Sequence, residues 1–263
     1  MTGAARPLEG RAVLVTRAAS QSGALSQHLR HLGAAVVEVP ALAIQPVATL
    51  EEIRAAAARL RARRPPRWMA VTSANAVERL VELVLPDELA GVRAAAVGES
   101  TARALRGIGV NVELVAPGTG AAALGEQLIA AGASRGSVWV PQAEAARGEL
   151  VELLRARGAD VEVTVCYRTV RVPGLGEALA AALRRGVDAL TLLSPSAAEA
   201  VLAAAAPEAL GALTVVCGGE TTAAAVRAHG LAAVVAGRSD PEAVAAALVL
   251  ALGERGGAPP LLP

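Results

Sequence analysis

VTRAASQSGALSQHLRHLGA (residues 15–34) and VPQAEAARGELVELLRARGA (residues 140–159) align without a gap. Leu25 falls on Leu150, Leu29 on Leu154 and Gly33 on Gly158. Each copy reads as a strand end, a turn, a helix with leucines four apart, and a glycine that closes the helix. Two further pairs follow at a common spacing. VTSANAVERLV (71–81) meets LLSPSAAEAVL (192–202), setting Ser73 on Ser194. VGESTARAL (97–105) meets GGETTAAAV (218–226), setting Gly98 on Gly219, Glu99 on Glu220 and Thr101 on Thr222. Duplication of a strand–helix block is the simplest account.

The same alternation runs from end to end. Short apolar runs at 12–17, 34–45, 68–73, 94–98, 110–116, 137–142, 160–172, 188–194, 213–218 and 232–237 read as strands. Alanine-rich stretches between them read as helices. Buried strands alternating with helices imply an α/β fold of parallel sheets covered on both faces. Two runs, 34–46 and 160–172, are about twice a usual strand length. Side by side they would form a two-stranded linker crossed twice by the chain. The expectation is two doubly wound parallel-sheet domains with an internal pseudo-repeat: residues 1–38 and 170–263 in one, 39–169 in the other.

Of the 263 residues 54% are hydrophobic and 19% charged, which supports packed cores rather than disorder. A net charge of +1 gives no global basic field for nucleic acid. Every basic residue other than histidine is arginine, so a lysine Schiff base is excluded. Cys166, Cys217, His28, His31 and His229 offer no metal-ligand spacing, so no metal is expected. MTGAARPLEGRA at the start lacks an apolar signal core, and no run has transmembrane length. A cytoplasmic monomer without membrane or nucleic-acid partners is the expectation.

Ligands of open parallel sheets bind at the carboxyl ends of strands, where turns lead into helices. Those turns are Thr16-Arg17, Thr72-Ser73-Ala74-Asn75, Gly98-Glu99-Ser100-Thr101, Pro117-Gly118-Thr119-Gly120, Ser194-Pro195-Ser196 and Gly219-Glu220-Thr221-Thr222. Nearly all offer a hydroxyl and free N–H groups at a helix start. Each hydroxyl taken singly reads as an ordinary N-cap. As a set they suit a ligand with many anionic groups. No phosphate loop, dinucleotide fingerprint or hydrolase elbow is present, so no cofactor is expected. The chain has no phenylalanine and a single tyrosine, Tyr167 in VTVCYRTVR (163–171). Its phenol, protonated at neutral pH, is either half-buried packing or a positioned donor.

In their order, VTRA, TSANAV, VGESTARAL, the 140–169 run, LLSPSAAEAV and CGGETTAAAV resemble the uroporphyrinogen-III synthase family across about residues 11–250. The resemblance implies two α/β domains, the first discontinuous, with the linear tetrapyrrole hydroxymethylbilane bound in the cleft between them. It implies cyclisation with inversion of ring D, through an azafulvene and a spiro intermediate, without a cofactor. The family's Y-x-T motif falls on Tyr167-Arg168-Thr169, making Tyr167 the expected catalytic group that assists loss of the ring A hydroxyl. Ser73, Thr101, Ser194 and Thr222 match its hydroxyl positions, and Arg17 its basic position after the first strand. With Asn75, Gly98 and Gly219 from the turns, these complete the expected substrate contacts. Where the family often carries arginine after the repeated strand, this chain has Gln142, with Arg147 further along. The rival reading is a two-domain protein that clamps a small polyanion without chemistry.

Overall fold

The computed structural model describes residues 6–81, 86–116 and 120–254. Of the expected turns, residues 117–119 therefore lie outside the described residues. The chain opens with β1 (Ala12–Val15), α1 (Ala19–His31) and β2 (Ala35–Glu38). β3 (Leu42–Pro46), α2 (Leu50–Ala62), β4 (Arg67–Val71), α3 (Ala74–Leu80) and β5 (Arg93–Val97) follow. Next are α4 (Gly98–Gly107), β6 (Val112–Ala116), α5 (Ala121–Ala130), β7 (Ser137–Ala143) and α6 (Glu149–Ala156). After β8 (Asp160–Arg171) come α7 (Leu175–Arg184), β9 (Ala189–Leu192), α8 (Pro195–Ala204) and α9 (Pro207–Gly211). β10 (Thr214–Cys217), α10 (Glu220–Ala228), β11 (Val234–Val235) and α11 (Pro241–Glu254) complete the order.

Two compact units result, Met1–Ala43 with Val170–Pro263, and Ile44–Thr169. The first holds a five-stranded sheet ordered β11-β10-β9-β1-β2, with every pair parallel. The second sheet is ordered β3-β8-β7-β4-β5-β6, and β8-β7-β4-β5-β6 run parallel. β3 runs against β8: Ala41 O accepts from Val172 N, while Val47 N and Ala48 N donate to Cys166 O and Val165 O.

The central strands are near-continuous apolar runs because helices cover both faces. Along β4 the faces alternate residue by residue. Met69 and Val71 join Ile53, Val77 and Leu105 in one core, whereas Trp68 and Ala70 join Leu124 and Leu154 in the other. In the first unit Leu14 packs with Leu179, Val201 and Val226, while Val13 and Val15 pack with Leu25, Leu29 and Leu248. Each sheet thus has helices on both sides, with the duplicated elements in matching layers. Gly33 and Gly158, equivalent in the repeat, both end their helices at positive φ, +97 and +87, which an L side chain adopts only with strain.

One expectation needs correction. Residues 34–46 are two strands, β2 in the first sheet and β3 in the second. Pro40 stands at the break; it has no N–H for a ladder and restricts the residue before it. On either side of it, Val39 N and Ala41 N still bond Val15 O and Thr16 O. Residues 160–171, free of proline and glycine, do form one strand of 12 residues.

Both thiols are free and buried. Burial pushes Cys166 up to about 11 and Cys217 up to about 11. The neutral thiol is the form these cores favour, so neither is a nucleophile at neutral pH. Native protein is therefore expected to resist iodoacetamide at pH 8, with both cysteines alkylated after denaturation. Mass spectrometry of the two samples checks this; rapid labelling of native Cys166 would contradict the packing described.

Candidate functional site

β4 stops at Val71, and two residues later Ser73 caps α3 in an extended conformation. Its Oγ accepts from Asn75 N at 3.1 Å, the usual satisfaction of a free helix-start donor. The same oxygen accepts from the Tyr167 hydroxyl at 2.9 Å, across 94 residues of sequence. Tyr167 itself is only 4% exposed and packs in the core beneath α2, α3 and α4.

A register shift aims this phenol. β7 and β8 pair Gln142 with Val165 and then Ala143 with Tyr167, so β8 carries Cys166 as an extra residue. Such a bulge breaks the alternation of faces and redirects a side chain. Neighbours Cys166 and Tyr167 accordingly enter the same core, where a regular strand would send them to opposite faces. Glu144 N then bonds Tyr167 O at 2.8 Å and ties the following loop to this residue.

The hydrogen-bond count at Ser73 determines what the site offers. A serine hydroxyl has two acceptor positions and one proton. Tyr167 and Asn75 fill both acceptor positions, so the Ser73 proton must point to a third group. Ser73 is partly exposed, and its O–H is the end of a two-hydroxyl chain. Donation from the phenol polarises that O–H and makes it a better donor than an isolated serine.

Gly98 and Thr101 belong to the neighbouring strand end, at β5 and α4. Gly98 starts α4 at φ +72, with its backbone at the turn partly exposed. In the first unit, Arg17, Ser194, Gly219 and Thr222 follow β1, β9 and β10, which are adjacent in the sheet. Ser194 caps α8 by accepting from Ala197 N at 3.2 Å. The residue equivalent to Tyr167 is Leu42, so the Ser194 cap has no phenol behind it. Gly219 caps α10 with open space around its Cα. Arg17 Nη1 donates to Ser239 O at 3.4 Å.

Thr101 and Thr222 lie deeper than the other expected contacts. Each is 3% exposed, on the inner faces of α4 and α10. Both stand in the first turn of their helices, on the side packed against the core. Thr101→Val and Thr222→Val are therefore expected to leave KM unchanged, with any loss appearing in thermal stability. A raised KM in a fully folded variant would restore them as contacts. The exposed first-turn carboxylates beside them are engaged: Glu99 bonds Arg106 at 2.6 Å, and its repeat partner Glu220 bonds Arg227.

The second unit also holds a cavity of about 340 Å³, whose lining includes Thr72, Gln142, Arg147 and Glu149. Sequence reading singled out Gln142 and Arg147 but had no means of joining them to Thr72. Among the described residues no three His, Cys, Asp or Glu side chains could hold a metal ion, and no helix is long and apolar enough to cross a membrane.

A family model described as uroporphyrinogen-III synthase HemD matches residues 23–246. The chain is 28% identical over 244 residues to a porphyrin biosynthesis protein HemD of Ruminiclostridium josui, covering 89% of this chain and 47% of that protein. It is 30% identical over 173 residues to a uroporphyrinogen-III synthase of Synechococcus elongatus, covering 63% of each. The chain thus spans between about half and two thirds of the length of these relatives. Among solved structures, a uroporphyrinogen III synthase of Thermus thermophilus superposes with a TM-score of 0.61 at 23% identity, covering 94% of this chain and 98% of that one. One from Helicobacter pylori gives 0.59 at 20% identity, covering 93% and 100%. At these identities the superpositions speak for the fold.

Proposed function

The chain belongs to the uroporphyrinogen-III synthase family, and from that premise we propose that it cyclises hydroxymethylbilane with inversion of ring D, releasing water. The observation that carries the proposal is the Tyr167 hydroxyl seated on Ser73 Oγ at 2.9 Å, at the carboxyl edge of a parallel sheet. That edge is where such sheets bind ligands.

Loss of the ring A hydroxyl needs a proton, since hydroxide is a poor leaving group and water a good one. In this reading Ser73 O–H gives its proton to the departing oxygen as the C–O bond breaks. Tyr167 replaces the Ser73 proton through their hydrogen bond, leaving the negative charge on the phenolate. The azafulvene so formed is attacked by the substituted carbon of ring D; the spiro intermediate fragments and recloses inverted. The ring proton lost on rearomatisation returns through Ser73 to Tyr167, and the proton balance closes. Pyrrole reactivity supplies the carbon chemistry. The protein's larger contribution is to hold ring D against the azafulvene, an orientation effect. Arg17, Asn75, Gly98, Ser194 and Gly219 are proposed to bind the substrate's carboxylates through side chains and free N–H groups. The reading includes a cytoplasmic monomer that works without cofactor or metal.

The test is direct. Protein is incubated with hydroxymethylbilane, the product oxidised, and the uroporphyrin isomers separated. Type III product is expected; type I alone, the spontaneous outcome, would refute the activity.

A further inference from the structure

We propose that Arg79 is a positioning residue of the reaction, the fixed cation that offsets the charge left on Tyr167 when the Ser73–Tyr167 pair gives up a proton. This rests on the synthase reading above. Arg79 lies in the last turn of α3, the helix that Ser73 caps. It is half-buried, and its Nε is buried with no hydrogen-bond partner. Arg67, also half-buried, gives its Nε to Arg63 O at 2.7 Å. Arg103, Arg135 and Arg147 of the same unit lack an ion pair too, but they are exposed and solvent hydrates them. A buried guanidinium N–H without an acceptor destabilises the resting protein, so its presence calls for a role.

What Arg79 faces narrows that role. It lies close enough to the Cys166 sulfur to oppose the rise that burial causes there. Even so the thiol stands at about 11 and donates to Thr164 O at 3.5 Å, so it is neutral and gives the cation no counter-charge. Among the described residues no Asp or Glu is buried, so no carboxylate supplies one from within the core. The bulge in β8 turns Cys166 and Tyr167 into one core, which Val77 and Leu80 of α3 share. One short helix thus brings a hydroxyl to the phenol and a cation to the phenol's neighbour in the chain. At rest that core meets a cation and no anion. In the proposed reaction Tyr167 becomes a phenolate at 4% exposure, where water solvates it poorly. A guanidinium already in place favours that state alone, so its effect falls on turnover and not on substrate binding. Arginine keeps its proton throughout, which leaves the proton balance as written.

Arg79→Met and Arg79→Gln remove the charge, Arg79→Lys keeps it, and the exposed Arg135→Met is the control. All are assayed with hydroxymethylbilane, in the wild-type and Tyr167→Phe backgrounds, together with urea unfolding. For both neutral variants kcat is expected to fall about tenfold with KM near the wild-type value, the loss of one charge at a partly screened site. Arg79→Lys retains most of the rate, because the charge acts and not the planar fork. Urea midpoints stay level or rise, since a charge without a partner has been removed. In the Tyr167→Phe background the neutral variants change kcat by less than about twofold, since no phenolate forms there. Full rate in the neutral variants, or the same loss in both backgrounds, overturns the proposal; a fallen urea midpoint with the second pattern marks Arg79 as a packing residue. A second readout needs no substrate. The chain has one tyrosine, so difluorotyrosine introduced at Tyr167 reports on that phenol alone by fluorine NMR. At pH 8 the label's phenolate-to-phenol ratio is expected to be about tenfold lower in Arg79→Met than with Arg79 present. If wild type makes only type I product, the synthase reading fails on its own. The label then decides: a lower ratio in Arg79→Met still supports the charge contact, and an unchanged ratio refutes it too.

Discussion

Tyr167→Phe is expected to fold like the wild type and to turn over hydroxymethylbilane about 10²–10⁴-fold more slowly, the range for losing a positioned acid. The ring stays in its core, and the only bond lost is the one to Ser73 Oγ. Losing it costs stability of about 0.5–1.5 kcal/mol. KM is expected to stay near the wild-type value, since the phenol is 4% exposed and in the proposed mechanism acts only through Ser73. Because azafulvene forms without enzyme and water can replace the phenol, the rate should settle toward the lower end of that range. The product remains type III, since ring orientation comes from the binding contacts and not from the proton source. Stopped-flow consumption of the bilane with isomer analysis of the product checks both statements. Full rate would make Tyr167 a packing residue. A shift toward type I would make it a group that positions the pyrroles.

Ser73→Ala is expected to lower kcat as much as Tyr167→Phe, and far more than Ser194→Ala. The two serines are repeat partners and both cap helices, so each alanine costs about 1 kcal/mol of stability through the lost cap. Only Ser73 has a phenol behind it, and its removal strands the buried Tyr167 hydroxyl at a further cost of about 1–3 kcal/mol. Ser194→Ala is therefore expected to act on KM alone. The double variant Ser73→Ala/Tyr167→Phe tests the coupling. If the hydroxyls form one chain, the double variant is no slower than the slower single variant, and stability partly recovers because neither partner is left unpaired. Rate losses that multiplied would show two independent roles. The cycle needs kcat and urea midpoints for four proteins.

The strand–helix alternation, the repeat and the division into two bodies were legible because they rest on preferences local to the chain. Apolar runs of strand length, leucines four apart and glycines after helices carry that information within a few residues of each other. The break in 34–46 was also written there, in Pro40, although the apolar run on either side of it reads as continuous. Tyr167 stood out by composition, as the one phenol in a core otherwise built from aliphatic side chains and two tryptophans.

What Tyr167 touches was not legible. Its bond to Ser73 spans 94 residues and depends on strand order, register and a one-residue bulge at Cys166. A register change of one residue reverses the face of every side chain that follows, and no local pattern records where it occurs. Thr101 and Thr222 show the converse. Their repeat spacing marks them as equivalent, yet the helix rotation after each turn buries both residues. Arg147 and Thr72 likewise line one cavity only because β7 lies beside β4 in the sheet. The chain's own periodicity determined which elements form and how often the block repeats. Tertiary structure alone decided which hydroxyls and charges face one another, because lateral strand order and register are set by packing between segments distant in sequence.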